Sequence, residues 1–186
     1  WAIHIDHGLH PDAPRWCEHC RETSAAYAIP LVTQCLALSP RPGESPEALA
    51  REARYGALAS RLAPGDLLLT AHHQDDQAET LLLALLRGAG VKGLAAMPEI
   101  ADLGRGRLVR PLLGFPRAAL ESYARTQGLS WVEDPSNREP AMDRNYLRHL
   151  VLPRLRARWP AVASTLARSA AHCADAAALV DLAAGP

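Results

Sequence analysis

At 186 residues, 48% hydrophobic and 22% charged, the chain has the make-up of a globular protein with one sizeable core, or one core and a small appendage. No apolar run approaches the roughly 20 residues of a membrane span and no signal peptide is read, so a cytoplasmic location is expected. Twenty basic residues balance twenty acidic ones, so composition alone does not point to nucleic acid, although Arg138 to Arg158 holds six arginines against Glu139 and Asp143.

The chain opens on Trp1-Ala2-Ile3-His4-Ile5-Asp6, whose alternation predicts a strand ending in the turn His7-Gly8-Leu9. Asp6-His7-Gly8, at a strand end, is a candidate site element as well as a plain polar turn. A helix is predicted from Pro14 to Ala28, with the proline in its first turn. It carries Cys17-Glu18-His19-Cys20, a lone C-x-x-C with no second pair at zinc spacing, which reads as free thiols in a reducing compartment. Pro30 to Leu36 is the next strand, followed by a Pro/Ser/Gly-rich loop from Ser39 to Ser45. Ser45 is placed as N-cap and Pro46 at N1 of a helix reaching Leu62, which bears Arg51, Arg54 and Tyr55.

After Pro64-Gly65, the run Asp66 to Thr70 predicts a short buried parallel strand. It leads into Ala71-His72-His73-Gln74-Asp75-Asp76-Gln77-Ala78-Glu79-Thr80 and the apolar run Leu81 to Leu86, a helix expected to be buried. Asp76 and Glu79 stand three apart, and Asp75 and Glu79 four apart, so each pair shares a helix face. His72 and His73 fall at the carboxyl end of the strand, where open α/β sheets bind ligands. Three acids and two imidazoles meeting at one rim suit a hard cation such as Mg²⁺ bridging phosphate oxygens. The plainer reading, capping acids and a surface histidine pair, accounts for one or two of the five.

Strands alternating with helices through Leu86 predict a doubly wound parallel α/β sheet. Further on, Leu108 to Leu113 reads as a strand entering a turn, and Phe115 to Gln127 as a helix stopped by Gly128. Trp131 to Asn137 is turn-rich, Asp143 to Leu155 is helical, and an Ala-rich helix fills Pro160 to Ala184. Two parts are expected: an α/β domain over 1–135, incomplete at its N-terminus, and a helical extension over 136–186.

His72-His73-Gln74-Asp75-Asp76-Gln77-Ala78-Glu79-Thr80, with Arg87-Gly88-Ala89-Gly90 and Gly93-Leu94-Ala95-Ala96-Met97-Pro98 behind it, resembles the tRNA(Ile)-lysidine synthases, which are N-type ATP pyrophosphatases. So do His4-Ile5-Asp6-His7-Gly8-Leu9, the string Ser45 to Tyr55, Arg110-Pro111-Leu112-Leu113, Asp134-Pro135-Ser136-Asn137 and Arg144-Asn145-Tyr146-Leu147-Arg148, in this order. The resemblance implies the Rossmann-like fold of that group and a ligase that uses ATP to adenylate the C2 oxygen of the wobble cytidine in tRNA(Ile) with anticodon CAU. The ε-amine of L-lysine then displaces AMP. It implies ATP and Mg²⁺ as cofactors, a possible homodimer, and C-terminal tRNA-binding domains beyond the last helix.

Carried over by position, Asp76 and Glu79 would hold Mg²⁺ or orient the lysine amine, with His72 and Arg144 as their catalytic partners. Asp6, His7, Arg51, Arg54, His73 and Gly88 would contact the nucleotide. The family's loop Ser-Gly-Gly-x-Asp-Ser does not occur in the sequence, and the chain opens within a strand. It is therefore expected to be a fragment, inactive and aggregation-prone by itself. Three other readings stand beside this one: a 2-thiocytidine synthetase, a metal-dependent phosphoesterase using Asp6, His7, His72, His73 and Asp76, and a non-catalytic tRNA-binding remnant.

Overall fold

The structure is a computed structural model that describes residues 1–8, 10–36, 46–139 and 141–185. The loop from Ser39 and the Ser45 cap lie outside the described residues. The described chain divides into two compact units, one of residues 1–66 with 103–106, the other of 67–102 with 107–186. The boundary expected at 135 falls inside the second.

In the first unit, β1 (Ala2–Asp6), α1 (Ala13–Ala26) and β2 (Leu31–Cys35) form a strand–helix–strand crossover, followed by α2 (Pro46–Ser60). The two strands pair in parallel, with Ala2 opposite Leu31 and Asp6 opposite Cys35. α1 lays its C-x-x-C on this pair. The Cys17 Sγ lies 3.6 Å from Thr33 Oγ1, and the Cys20 Sγ lies 3.5 Å from His4 Nδ1. Burial, then the neighbouring Cys17, pushes the Cys20 thiol pKa up, and all four cysteines are free thiols. Among the described residues of this unit, Ala13, Leu58 and Leu62 are the buried apolar ones. A Cβ on Gly104, which sits at φ +58°, would stand 2.6 Å from the Ala59 carbonyl oxygen, so only glycine fits that turn.

The second unit begins with β3 (Leu67–Leu69) and α3 (Gln74–Leu86), then the single turn α4 (Val91–Leu94) and most of the hairpin β4 (Ile100–Leu103) and β5 (Gly106–Val109), whose residues 103–106 count with the first. α5 (Arg117–Thr126), a 3₁₀ turn (Pro135–Arg138) and α6 (Asp143–Tyr146) follow. A π-helical turn (Leu147–Val151), α7 (Leu152–Arg158) and the long α8 (Val162–Ala184) complete the chain. Strand order is β3-β5-β4, and β3 runs parallel to β5 with Leu67 opposite Arg107 and Leu69 opposite Val109. Parallel strands with helices between them and a helical C-terminal part are the α/β class the sequence predicts. The strands are divided between a two-stranded and a three-stranded sheet.

Two burial expectations are corrected. Leu67 and Leu69 are 55% and 64% exposed, because alternate side chains share one face of a strand and that face of β3 stands open. In α3, Ala78 and Leu81 are buried but Leu85 and Leu86 are exposed. α8 packs along α3 and α4. Its buried positions are Ala163 and Ala170, matching the buried Ala78 of α3, and such small residues let two helix axes approach closely. Among the described residues, no helix is long and apolar enough to cross a membrane.

Candidate functional site

α3 starts at the carboxyl end of β3. Its N-cap is His73, whose Nδ1 accepts the Asp76 N–H at 3.3 Å while the Asp76 Oδ2 accepts the His73 N–H at 3.0 Å. This reciprocal box places an acid in the first turn, where the helix end favours it. The cap needs an unprotonated Nδ1. Burial lowers the His73 pKa, Asp76 raises it and Arg117 lowers it, leaving it below the ordinary imidazole value of 6.5. His72 turns its Nδ1 to the Thr70 hydroxyl at 2.9 Å.

One turn into α3, Glu79 is fully buried, and its side chain is 1% exposed. An ionised carboxylate at such depth requires a cation. Arg148, on the π-helical turn, supplies it. The Arg148 Nε donates to Glu79 Oε1 at 2.7 Å and its Nη2 to Glu79 Oε2 at 2.8 Å, while Nη2 also reaches Asp76 Oδ1 at 3.1 Å. Burial pulls the Arg148 pKa down, but the hydrogen bonds to Glu79 and the charges of Glu79 and Asp76 outweigh it, so its net shift is upward. Arg144, one turn earlier, donates to the Thr80 hydroxyl at 2.8 Å and stands 3.6 Å from Glu79 Oε2. Thr80 in turn donates to the Asp76 carbonyl oxygen at 2.8 Å.

Asp75 faces another way. Its Oδ2 accepts the Arg117 N–H at the start of α5 at 2.8 Å, and its Oδ1 pairs with Arg156 of α7. The three acids therefore bind α5, the π turn and α7 to the first turns of α3. A cavity of about 260 Å³ beside them is lined by Asp75, Glu79, Arg117, Arg148, His149, Leu152 and Arg156. Each of its guanidiniums is already paired, Arg148 with Glu79 and Asp76, Arg156 with Asp75 and Arg117 with Glu121.

The second unit thus brings together Asp76, Glu79, His73 and Arg144 of the predicted residues, and His72 adjoins them in sequence. Gly88 lies at the other end of α3, about 20 Å along a helix of 13 residues, where its φ of +71° ends the helix. Asp6, His7, Arg51 and Arg54 belong to the first unit. There Asp6 Oδ1 accepts the Gly8 N–H at 2.8 Å, and Arg51 and Arg54 both stack on the Tyr55 ring, at 4.9 and 5.7 Å from its centre. His7 Nδ1 is buried without a hydrogen-bond partner, and burial, then the Arg54 charge, lowers the pKa of the ring.

Sequence reasoning did not give Arg148 this place; it counted Arg148 as one of the six arginines from Arg138 to Arg158. The signal was present as the Arg144–Arg148 spacing of four, which puts both on one helix face. The donor set does not suit Mg²⁺, because a guanidinium already bridges the two carboxylates. Each oxygen of the Asp76 and Glu79 carboxylates already accepts from Arg148 or from the His73 N–H. Among the described residues, no group of three His, Cys, Asp or Glu side chains could hold a metal.

Comparison with known proteins gives one consistent picture. The chain is 55% identical over 180 residues to the tRNA(Ile)-lysidine synthase of Methylococcus capsulatus, covering 97% of this chain and 41% of that protein. It is 54% identical to the one of Pseudomonas syringae pv. tomato, covering 97% and 40%. The chain thus spans about two fifths of the length of these relatives. The U34-tRNA thiolase NcsA from Methanococcus maripaludis, solved with its 4Fe-4S cluster, shares the fold with a TM-score of 0.71 at 16% identity, over 90% of this chain and 60% of that one. The family model described as a PP-loop domain matches residues 1–155, and the chain belongs to that family.

Proposed function

We propose that this chain carries part of the catalytic machinery of a tRNA(Ile)-lysidine synthase, acting on tRNA(Ile) with anticodon CAU, L-lysine and ATP in the cytoplasm. The observation that carries this reading is the 55% identity over 97% of the chain to a protein of that name. The chemistry asked of such a site is definite. The C2 oxygen of cytosine is a poor leaving group; adenylation turns it into one that departs with AMP, and a neutral amine then forms the carbon–nitrogen bond. The site must orient the reactants and exclude water.

In this reading Asp76 and Glu79 orient the lysine amine, and Arg144 approaches the adenylated nucleotide. His72 and His73 flank the phosphates or the base. Asp6, His7, Arg51 and Arg54 are read as nucleotide contacts, with residues 1–135 as the nucleotide-binding part and 136–186 as its helical extension. The test is pyrophosphate release and labelled-lysine incorporation by the whole protein with ATP and substrate tRNA. Both should require the CAU anticodon. Pyrophosphate release that ignores the tRNA, with no lysine incorporated, would overturn the reading.

A further inference from the structure

We propose that Arg148 is the built-in cation of the Asp76–Glu79 pair, a positioning residue that holds both carboxylates in place and keeps divalent metal off them. This deepens the reading of the same site, but it rests on the geometry and not on which reaction the site performs.

Three observations carry it. The guanidinium meets Glu79 in a two-bond fork of 2.7 and 2.8 Å and reaches Asp76 at 3.1 Å, so one planar cation bridges both acids. Its side chain is only 19% exposed, and the Glu79 side chain 1%, so solvent screens the contact weakly. The residue rides on a π-helical turn, a rarely used geometry that recurs at functional sites. Arg144, from the preceding turn, closes on the same Glu79.

Mg²⁺ demands near-octahedral oxygen ligation at about 2.0–2.1 Å. Each carboxylate oxygen keeps a second lone pair, yet a divalent ion on any of them would stand against the guanidinium in a poorly screened site. Two like charges then compete for one pair of acids, and the covalently attached one is always present. The carboxylates do here for an arginine what the same residue types do elsewhere for a metal.

The test uses Mn²⁺ alone, with no ATP or tRNA, read by electron paramagnetic resonance. The wild-type protein should show no stoichiometric Mn²⁺ site that Asp76→Asn removes. Arg148→Met should create one, bound roughly tenfold or more tighter than any wild-type binding and lost again when Glu79→Gln is added. Arg148→Lys, which keeps a cation there, should stay metal-free. Loss of a packing role could not create a metal site, so the gain of signal is specific. Arg148→Gln replaces Arg148→Met if the latter does not unfold cooperatively. A wild-type Mn²⁺ site abolished by Asp76→Asn, or a folded Arg148→Met or Arg148→Gln with no gain, would overturn the proposal. None of these outcomes depends on lysine incorporation.

Discussion

Arg148 and Glu79 are 69 positions apart in the chain, yet they meet in two parallel hydrogen bonds of 2.7 and 2.8 Å at a point where Glu79 is fully buried. The contact fastens the first turns of α3 to the helical segment after residue 143. Breaking such a pair from one side leaves Glu79 with only the more distant Arg144, at a cost of up to about 3–5 kcal/mol. Arg148→Met should therefore lower Tm by roughly 6–20 °C. Arg148→Met combined with Glu79→Leu should recover part of the loss, since replacing both partners removes the uncompensated charge. Thermal unfolding of the two variants checks this; a double variant no more stable than Arg148→Met would deny the coupling.

Asp75 makes a second, separate prediction. Its carboxylate accepts the Arg117 N–H that opens α5, whose own N-cap position is Pro116 and offers no side-chain acceptor. Asp75→Ala should cost about 1–3 kcal/mol by orphaning a helix-end donor and the Arg156 partner. Amide exchange should accelerate at Arg117 and the first turn of α5 ahead of the rest of the helix. Uniform acceleration across the second unit would instead mean a general loss of packing.

Much of this arrangement was legible in the residues. Alternation placed β1 and β2, the Pro14 signal placed the start of α1, and the acids after His73 announced the head of α3. What periodicity does not report is the partner of a charge. Asp76 and Glu79 look alike whether they await a metal or an arginine 69 positions away, because the pattern along one helix carries no information about the facing one. The same blindness affected Leu67 and Leu69, since an apolar run looks the same whether its sheet face is covered or open. β4 and the single turn α4 were missed for being too short to show a period, and β5 was read two residues late, as a strand from Leu108. One expected helix is broken into α6, a π turn and α7, with Pro153, which has no N–H to donate, in the first turn of α7.

His73 links stability to pH. Its folded pKa lies below 6.5, chiefly through burial, so the unfolded chain binds a proton more readily than the folded one. Stability then rises with pH wherever the unfolded state holds more protons. The His73 contribution is full above the unfolded value of 6.5 and is lost as pH falls from there to the folded pKa. His73→Asn, which keeps an N-cap acceptor for the Asp76 N–H, should flatten that slope. His7, also lowered, keeps part of it. Urea unfolding of wild type and variant between pH 5 and 7.5 measures the difference; identical slopes would show that His73 protonates equally in both states.

The arginine-rich segment supports the last prediction, and the structure changes its terms. In the sequence, Arg144 and Arg148 count alike among the six arginines from Arg138 to Arg158. Arg148 is committed to Glu79 and Asp76, and Arg144 is tied to Thr80 beside them. Arg154 and Arg158 on α7 are exposed, and Arg158 lies 5.7 Å from the ring centre of the exposed Trp159. A cation beside an exposed indole offers both a phosphate contact and a surface for base stacking. If this face meets the tRNA, each phosphate contact removed should reduce the slope of log K against log salt by about 0.7–0.9. Arg154→Gln and Arg158→Gln should each do so, and Arg148→Lys, whose cation stays inside, should leave the slope unchanged. Filter binding of substrate tRNA across a salt series reads all three. A slope that drops for Arg148→Lys but not for Arg154→Gln or Arg158→Gln would put the RNA on the α3 side of the π turn and not on α7.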